Sequence, residues 1–197
     1  LTDKIFSTII KKARVLKKIL YIASFVITFC VSANNSAFAQ FEEYEIKAVQ
    51  LYTFAKYVTW PEKIFKGQSK IILGVLGDDP FGDKLDKVLK NRPVNGKLWE
   101  IRRAHTSKEL RGCHIIFVCK SEEPIIKKIM EELSGYRNSS VLTIGDNIHK
   151  FCGYGGIINF TEEKYLFEIN LKAATDSDLV LSTQLLRIAK AIVSYEK

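Results

Sequence analysis

The chain has 197 residues, with 30 Lys or Arg against 22 Asp or Glu, a formal charge of +8 and 47% hydrophobic content. Most of the excess base sits at the front: residues 1–39 hold six bases and one acid, so the remaining 158 residues carry 24 bases against 21 acids, a net of +3. So weakly basic a body gives no argument for nucleic acid. With no internal repeat, low-complexity tract or Pro/Gly/Ser linker, its length suits one domain rather than two.

Lys4, Lys11, Lys12, Arg14, Lys17 and Lys18 precede an apolar run from Ile19 to Val31, and small and polar residues then lead to Ala37-Phe38-Ala39-Gln40. A basic region, a short apolar stretch and an A-x-A site read as a secretory signal peptide cleaved after Ala39. The run is shorter than the roughly 18 residues of a membrane span; an uncleaved N-terminal anchor is the alternative. Residues 1–39 are therefore expected to be a signal peptide and residues 40–197 a single exported domain. An exported protein meets little soluble ATP, NAD or GTP, which counts against functions that consume them.

Residues 44–59 have helical periodicity, with Tyr44, Ala48, Leu51, Ala55 and Val58 on one stripe. Ile46, Val49 and Tyr57 fall on the other side, so this helix needs cover on more than one side, from its own domain or from a partner. Trp60-Pro61 stops it, since the residue before proline avoids the α region. Ile71 to Leu76 reads as a short strand buried on both faces. Asp79 to Lys90 reads as a helix with Phe81, Leu85, Val88 and Leu89 inward, and Lys97 to Arg103 as a second strand. Ser107 caps a short turn ending at Gly112, and Cys113 to Cys119 is a third strand.

Ser121 caps the next helix, whose inward stripe is Ile125, Ile126, Ile129, Met130 and Leu133. Val141 to Ile144 is a fourth strand. Gly156 to Phe160 and Tyr165 to Asn170 form a hairpin. Ser182 caps a last helix carrying Leu185, Leu186, Ile188, Ala189, Ile192 and Val193 on one face. Helices alternating with apolar strands, then a hairpin, give an α/β fold: a three-layer sandwich, its sheet mostly parallel with helices on both faces and an antiparallel C-terminal hairpin.

The stretch "LGVLGDDPFGDKL" (73–85) looks at first like a nucleotide-binding turn. Gly74, Gly77 and Gly82 have the wrong spacing for G-x-G-x-x-G, and Asp78 and Asp79 would repel a phosphate. A Mg²⁺ site of the receiver-domain kind would need an acid ending a neighbouring strand, where Cys119-Lys120 stands. Turn chemistry accounts for the stretch: Gly77 permits a tight exit, Asp79 is an N-cap, Pro80 sits at the first helical position and Phe81 returns to the core.

Taken in order, "AVQLYTFAKYVTWP" (48–61), "LGVLGDDPFG" (73–82), "ELRGCHIIFV" (109–118), "VLTIGD" (141–146), "GGIINF" (155–160), "FEINLKAA" (167–174) and "LSTQLLRIA" (181–189) make the sequence resemble the YfiR family of exported bacterial regulators. The resemblance implies a periplasmic α/β domain that tends to dimerise. It implies repression of an inner-membrane diguanylate cyclase of the YfiN type through binding of its periplasmic sensor domain, with control of cyclic di-GMP and biofilm. An outer-membrane lipoprotein that sequesters the regulator is the further partner it implies.

Cys113, Cys119 and Cys152 remain after the leader, an odd number in an exported protein. Cys113 and Cys119 lie about 20 Å apart on one strand, beyond disulfide reach. Cys113 with Cys152 is left as a candidate disulfide or redox pair. Several members of the resembled family carry cysteines where this chain has Gly74 and Asn159, so redox control known in relatives does not carry over. His105, His114 and His149 lack metal-ligand spacing, no G-x-S-x-G elbow occurs, and Asp176 and Asp178 lie in a polar stretch. No catalytic, cofactor or metal site is expected, and no cofactor. Two non-catalytic functions remain: the regulator, or a periplasmic small-molecule receptor with a pocket at the carboxyl ends of the strands near Asp78 and Gly155.

Overall fold

Strands that are apolar at every position must be covered on both faces, and the middle of the sheet is built that way. Val75, Phe117 and Ile144 stand side by side on three adjacent parallel strands and are buried. A computed structural model describes residues 42–135, 140–163 and 165–195. The expected signal peptide lies outside the described residues. Residues Glu43–Lys197 form one compact unit.

Helix α1 (42–57) leads into a two-residue strand β1 (Val58–Thr59). Then come β2 (Lys70–Leu76), α2 (Lys84–Leu89), β3 (Leu98–Ala104), β4 (Ile115–Val118), α3 (Ile126–Ser134), β5 (Leu142–Gly145), β6 (Ile158–Phe160) and β7 (Phe167–Asn170). The chain closes with α4 (Leu171–Asp176), β8 (Val180–Leu181), α5 (Thr183–Ile188) and β9 (Ala191–Val193). Seven strands form one sheet in the order β3-β2-β4-β5-β6-β7-β9, parallel except where β6 and β7 pair as the hairpin. A separate antiparallel pair, β1 with β8, ties the end of α1 to the segment before α5.

Alternation along the strands divides the interior in two. Leu73, Val75, Ile115, Phe117, Leu142 and Ile144 face a core shared with Leu51, Phe54 and Ala55 of α1, Leu85 of α2 and Leu185 of α5. Leu76, Ile116 and Val118 face the other way, against Ile126, Ile129, Met130 and Leu133 of α3 and Phe151. This is the three-layer sandwich that the alternation of elements implies.

Several element ends differ from the sequence reading, each for a local reason. The α2 helix begins at Lys84, not Asp79; Asp79 instead accepts the Phe81 N–H at 2.8 Å, closing an Asx turn outside the helix. Thr106, not Ser107, caps the next turn, in a capping box with Glu109. Ser121 caps no helix; its hydroxyl accepts the Asp78 N–H at 3.0 Å, and Ile125 is exposed. The Ser182 hydroxyl does cap α5, accepting from Leu185 N–H at 3.2 Å. That helix stops at Ile188, and Ile192 and Val193 belong to strand β9 beside Ile169 and Asn170. Ala191-Ile192-Val193 suits either state, and the unpaired edge of β7 offers ladder bonds that a further helical turn would forgo.

Candidate functional site

Because β3 lies on one side of β2 and β4 on the other, strand order reverses at β2, and a crevice is expected beyond their carboxyl ends. It is filled from within. Gly77 leaves β2 with φ +99°, and a Cβ built there would meet Ser121 Oγ at 2.5 Å and Glu122 Oε1 at 2.7 Å. Asp79 is held by Arg103 Nε at 2.6 Å, and the same guanidinium reaches Asp86 at 2.5 Å and the Gly82 carbonyl at 3.0 Å. The second aspartate of the GDDPF turn thus anchors the turn to β3.

Beside this crevice, α1 crosses the carboxyl end of β5. Lys47 Nζ meets Asp146 Oδ1 at 2.7 Å and Glu43 at 2.6 Å, while Tyr44 donates its hydroxyl to Asp146 Oδ2 at 2.9 Å. Lys47 and Asp146 are both buried. The ammonium lies 4.6 Å from the centre of the Tyr44 ring and 5.4 Å from that of Phe160, so its remaining surroundings are aromatic faces. Burial first, then the Asp146 charge, push the Tyr44 phenol far above its ordinary value, which keeps it a donor. One ammonium is shared by two carboxylates, the buried one also accepting from Tyr44, and the cluster fastens α1 to the sheet. Nothing local in the sequence marks it, apart from Lys47 standing between Tyr44 and Ala48 of the buried stripe.

The two residues proposed to border a receptor pocket sit apart. Asp78 follows the carboxyl end of β2, whereas Gly155 lines a cavity of about 20 Å³ with Val141 and Thr143, at the amino end of β5. An open groove of about 460 Å³ at the carboxyl ends of β5 and β6 is lined by His149, Asn159, Glu163, Glu168 and Lys190, with Glu163 and Lys190 already ion-paired.

Cys113, Cys119 and Cys152 are buried free thiols. Burial pushes the Cys113 thiol up to about 11 and the other two further still, so none is a thiolate at neutral pH. Cys113 lies against Gly74, where a built Cβ would stand 3.1 Å from its Sγ, a separation that suits a disulfide. Gly74→Cys is therefore expected to bridge to Cys113 once Leu110, 2.8 Å from the same point, moves aside. Loss of one titratable thiol pair and a non-reducing mass two units lower would show it. Four thiols still titrating in denaturant within residues 40–197 of the variant, instead of two, would refute it.

His114 is buried, with Nδ1 accepting the Ile72 N–H at 2.9 Å and its ring stacked 4.6 Å from Phe65. Burial first, then Lys97 and Arg102, lower its pKa to about 4. The unfolded chain takes up a proton near pH 6.5, before the native state does. The contribution is therefore whole above pH 6.5 and is lost between 6.5 and 4 at about 1.4 kcal/mol per pH unit. Denaturant midpoints across that window should fall with pH, and a His114→Asn variant should lose much of the slope; an unchanged slope would count against it. His105 and His149 are exposed. Asp176 pairs with Lys172, and Asp178 with Lys63. Among the described residues, no three His, Cys, Asp or Glu side chains gather to hold a metal ion, and no helix is long and apolar enough to cross a membrane.

Apolar side chains that the fold leaves outside include Ile46 and Val49 on α1, 36% and 39% exposed, and Tyr165, whose carbonyl accepts from Gln50 Nε2 of the same helix at 2.8 Å. Leu171, Val180, Ile188 and Ile192 are exposed toward the C-terminal end of the chain.

A family model described as YfiR/HmsC-like matches residues 44–190. No curated protein matches the chain. Among solved structures, an ABC domain from Streptococcus pneumonia in complex with L-Trp is similar at 10% identity and a TM-score of 0.46, over 62% of this chain and 55% of that one. This chain thus spans about half the length of that structure.

Proposed function

Since the chain belongs to the YfiR/HmsC-like family, we propose that it is an exported regulator that represses an inner-membrane diguanylate cyclase by binding the cyclase's periplasmic sensor domain. At the level of the family the role is that of a periplasmic regulator of a diguanylate cyclase, and the match over residues 44–190 is the observation that carries the reading. Homodimer formation and sequestration by an outer-membrane lipoprotein belong to the same proposal, and so does export through a signal peptide ending at Ala39. The regulator works by surface contact, without a reaction of its own.

A binding protein silences a two-state sensor only through unequal affinity for its two states. Driving the cyclase from almost wholly on to almost wholly off takes about 5.5 kcal/mol of that difference. Ile46, Val49 and Tyr165 offer an apolar centre of the right kind, and Glu42 and Glu45 on the same helix are exposed around it as a polar rim. The double substitution Ile46→Glu with Val49→Glu changes two partly covered outward positions and sets acids one turn from Glu42 and Glu45, at a cost of about 1–2 kcal/mol. The variant is expected to fold normally and to lose repression, so that cyclic di-GMP rises as in a deletion strain. Full repression by a folded double variant would remove this face from the contact.

A further inference from the structure

Strand β3 closes one end of the seven-stranded sheet and pairs only with β2 among the described residues. At the other end β9 offers an edge of three residues, whereas β3 has seven, Leu98–Ala104, without proline, glycine or bulge. The ladder fixes which of its backbone groups are used. The Ala104 carbonyl accepts the Gly77 N–H at 2.9 Å and so points toward β2. Direction alternates along a strand, so Leu98, Glu100 and Arg102 also bond inward, while the N–H and C=O of Trp99, Ile101 and Arg103 point away from the sheet. A long unpaired edge of this kind is a template for a further strand.

The side chains narrow what that further strand is. Charges on an edge normally turn other strands away. Here they stand symmetrically about Ile101, with Glu100 before it and Arg102 after it. Arg102 Nε donates to Glu100 Oε1 of its own chain at 2.9 Å, while Glu100 Oε2 meets the Lys70 ammonium at 3.4 Å. When a second β3 is laid antiparallel with Ile101 opposite Ile101, the outward groups meet in mutually bonded pairs: Ile101 with the partner's Ile101, and Trp99 with the partner's Arg103. Glu100 then faces the partner's Arg102, and Arg102 the partner's Glu100, in the non-hydrogen-bonded positions where side chains come closest. Sliding by two residues, the smallest step that keeps the outward groups paired, sets Glu100 against Glu100 or Arg102 against Arg102. Like charges directly opposite are destabilising, so the strand selects one register with a copy of itself. The apolar surface agrees with it. Leu98, 57% exposed, comes opposite the partner's Ala104. An open groove of about 400 Å³ beside this edge is lined by Leu89, Leu98, Trp99 and Ile101, and the partner's Trp99 and Ile101, on the same face, come beside it.

We propose that β3 is the homodimer interface: two copies join edge to edge, antiparallel and centred on Ile101, into one continuous sheet with seven strands from each copy. This rests on homodimer formation as part of the proposed regulator, and specifies where and in what register the copies meet.

Sedimentation equilibrium of the purified protein and two charge variants tests it. The wild type should dimerise. Glu100→Arg sets a base opposite the partner's Arg102, and Arg102→Glu sets an acid opposite the partner's Glu100. By symmetry each change turns two attractive pairs into two repulsive ones and should weaken the dimer about tenfold or more. Mixed in equal amounts, the two variants should form a heterodimer at close to wild-type affinity, because each supplies the charge the other lacks. A second measurement needs no variant and decides the matter even where a variant fails to fold. On raising the wild-type concentration from mostly monomer to mostly dimer, amide exchange at Trp99, Ile101 and Arg103 should slow several-fold, while that at Glu100 and Arg102, already bonded to β2, stays as it was. A wild-type protein monomeric at about 100 µM would overturn this interface and homodimer formation together. A wild-type dimer that both variants retain undiminished would overturn this interface alone. So would variants folded by circular dichroism that stay monomeric when mixed, or a dimer whose formation leaves the three outward amides unchanged.

Discussion

Asp146→Ala is expected to destabilise the protein by about 3–5 kcal/mol, the range for removing one partner of a buried ion pair. The substitution leaves the Lys47 ammonium with Glu43 alone, in surroundings where its side chain is 5% exposed. It also strips the Tyr44 hydroxyl of its acceptor. Water cannot easily make good either loss, since Ala48, Phe81 and Phe160 are buried nearby. For a domain of this size the change corresponds to a fall of about 10 °C or more in Tm. The triple variant Lys47→Met, Asp146→Leu, Tyr44→Phe removes both buried charges and the phenol, leaves only the partly exposed Glu43, and should recover most of the loss. Thermal melts of the two variants beside the parent decide it. A single variant within about 1 kcal/mol of the parent would mean that the cluster is hydrated and does not hold α1 to the sheet.

Gly156→Ala is expected to cost about 3 kcal/mol, at the upper end of what overpacking a core does. The reason is steric, because the φ of Gly156 is not positive. A Cβ at Gly156 would stand 2.2 Å from both Cδ1 and Cε1 of Phe151, and one at Gly145 would stand 2.7 Å from Cγ of the same ring. Phe151 is fully buried and fills the space between these two glycines. Trimming the ring should therefore rescue the alanine: Phe151→Leu with Gly156→Ala should be less destabilised than the two single changes added together. A double-mutant cycle by urea denaturation measures that coupling. Strict additivity would show that the alanine is accommodated by backbone movement instead.

The parts of this molecule that the sequence reveals are those whose signal is local. Ile115 to Val118 and Leu142 to Gly145 are short apolar runs that become strands buried on both faces, and the hairpin follows from two such runs separated by polar turn residues. Ser182 caps α5 by its own hydroxyl. What stays hidden depends on residues far apart in the chain. Lys47 and Asp146 are 99 positions apart, and each taken alone reads as an exposed charge or a turn. Asp79 makes sense as a cap until Arg103, 24 positions on, arrives to hold it. Ile192 fits a helical stripe equally well, and only the open edge of β7 makes it a strand residue. The crevice at the strand reversal is a property of the topology, but its closure by Ser121 and Glu122 is a property of two side chains packed against Gly77. The resemblance to a family was legible because its blocks run in order along nearly the whole domain, and the match to residues 44–190 agrees with it.

The central claim is that this surface holds a cyclase inactive. Its most direct measurement is intracellular cyclic di-GMP in a strain lacking the protein, with the partner cyclase intact, against the parent and against a complemented strain. Deletion is expected to raise cyclic di-GMP and surface attachment, an effect reversed by the wild-type protein and not by the Ile46→Glu, Val49→Glu variant. Unchanged cyclic di-GMP in the deletion strain, with the cyclase shown to be present and active when expressed alone, would contradict it.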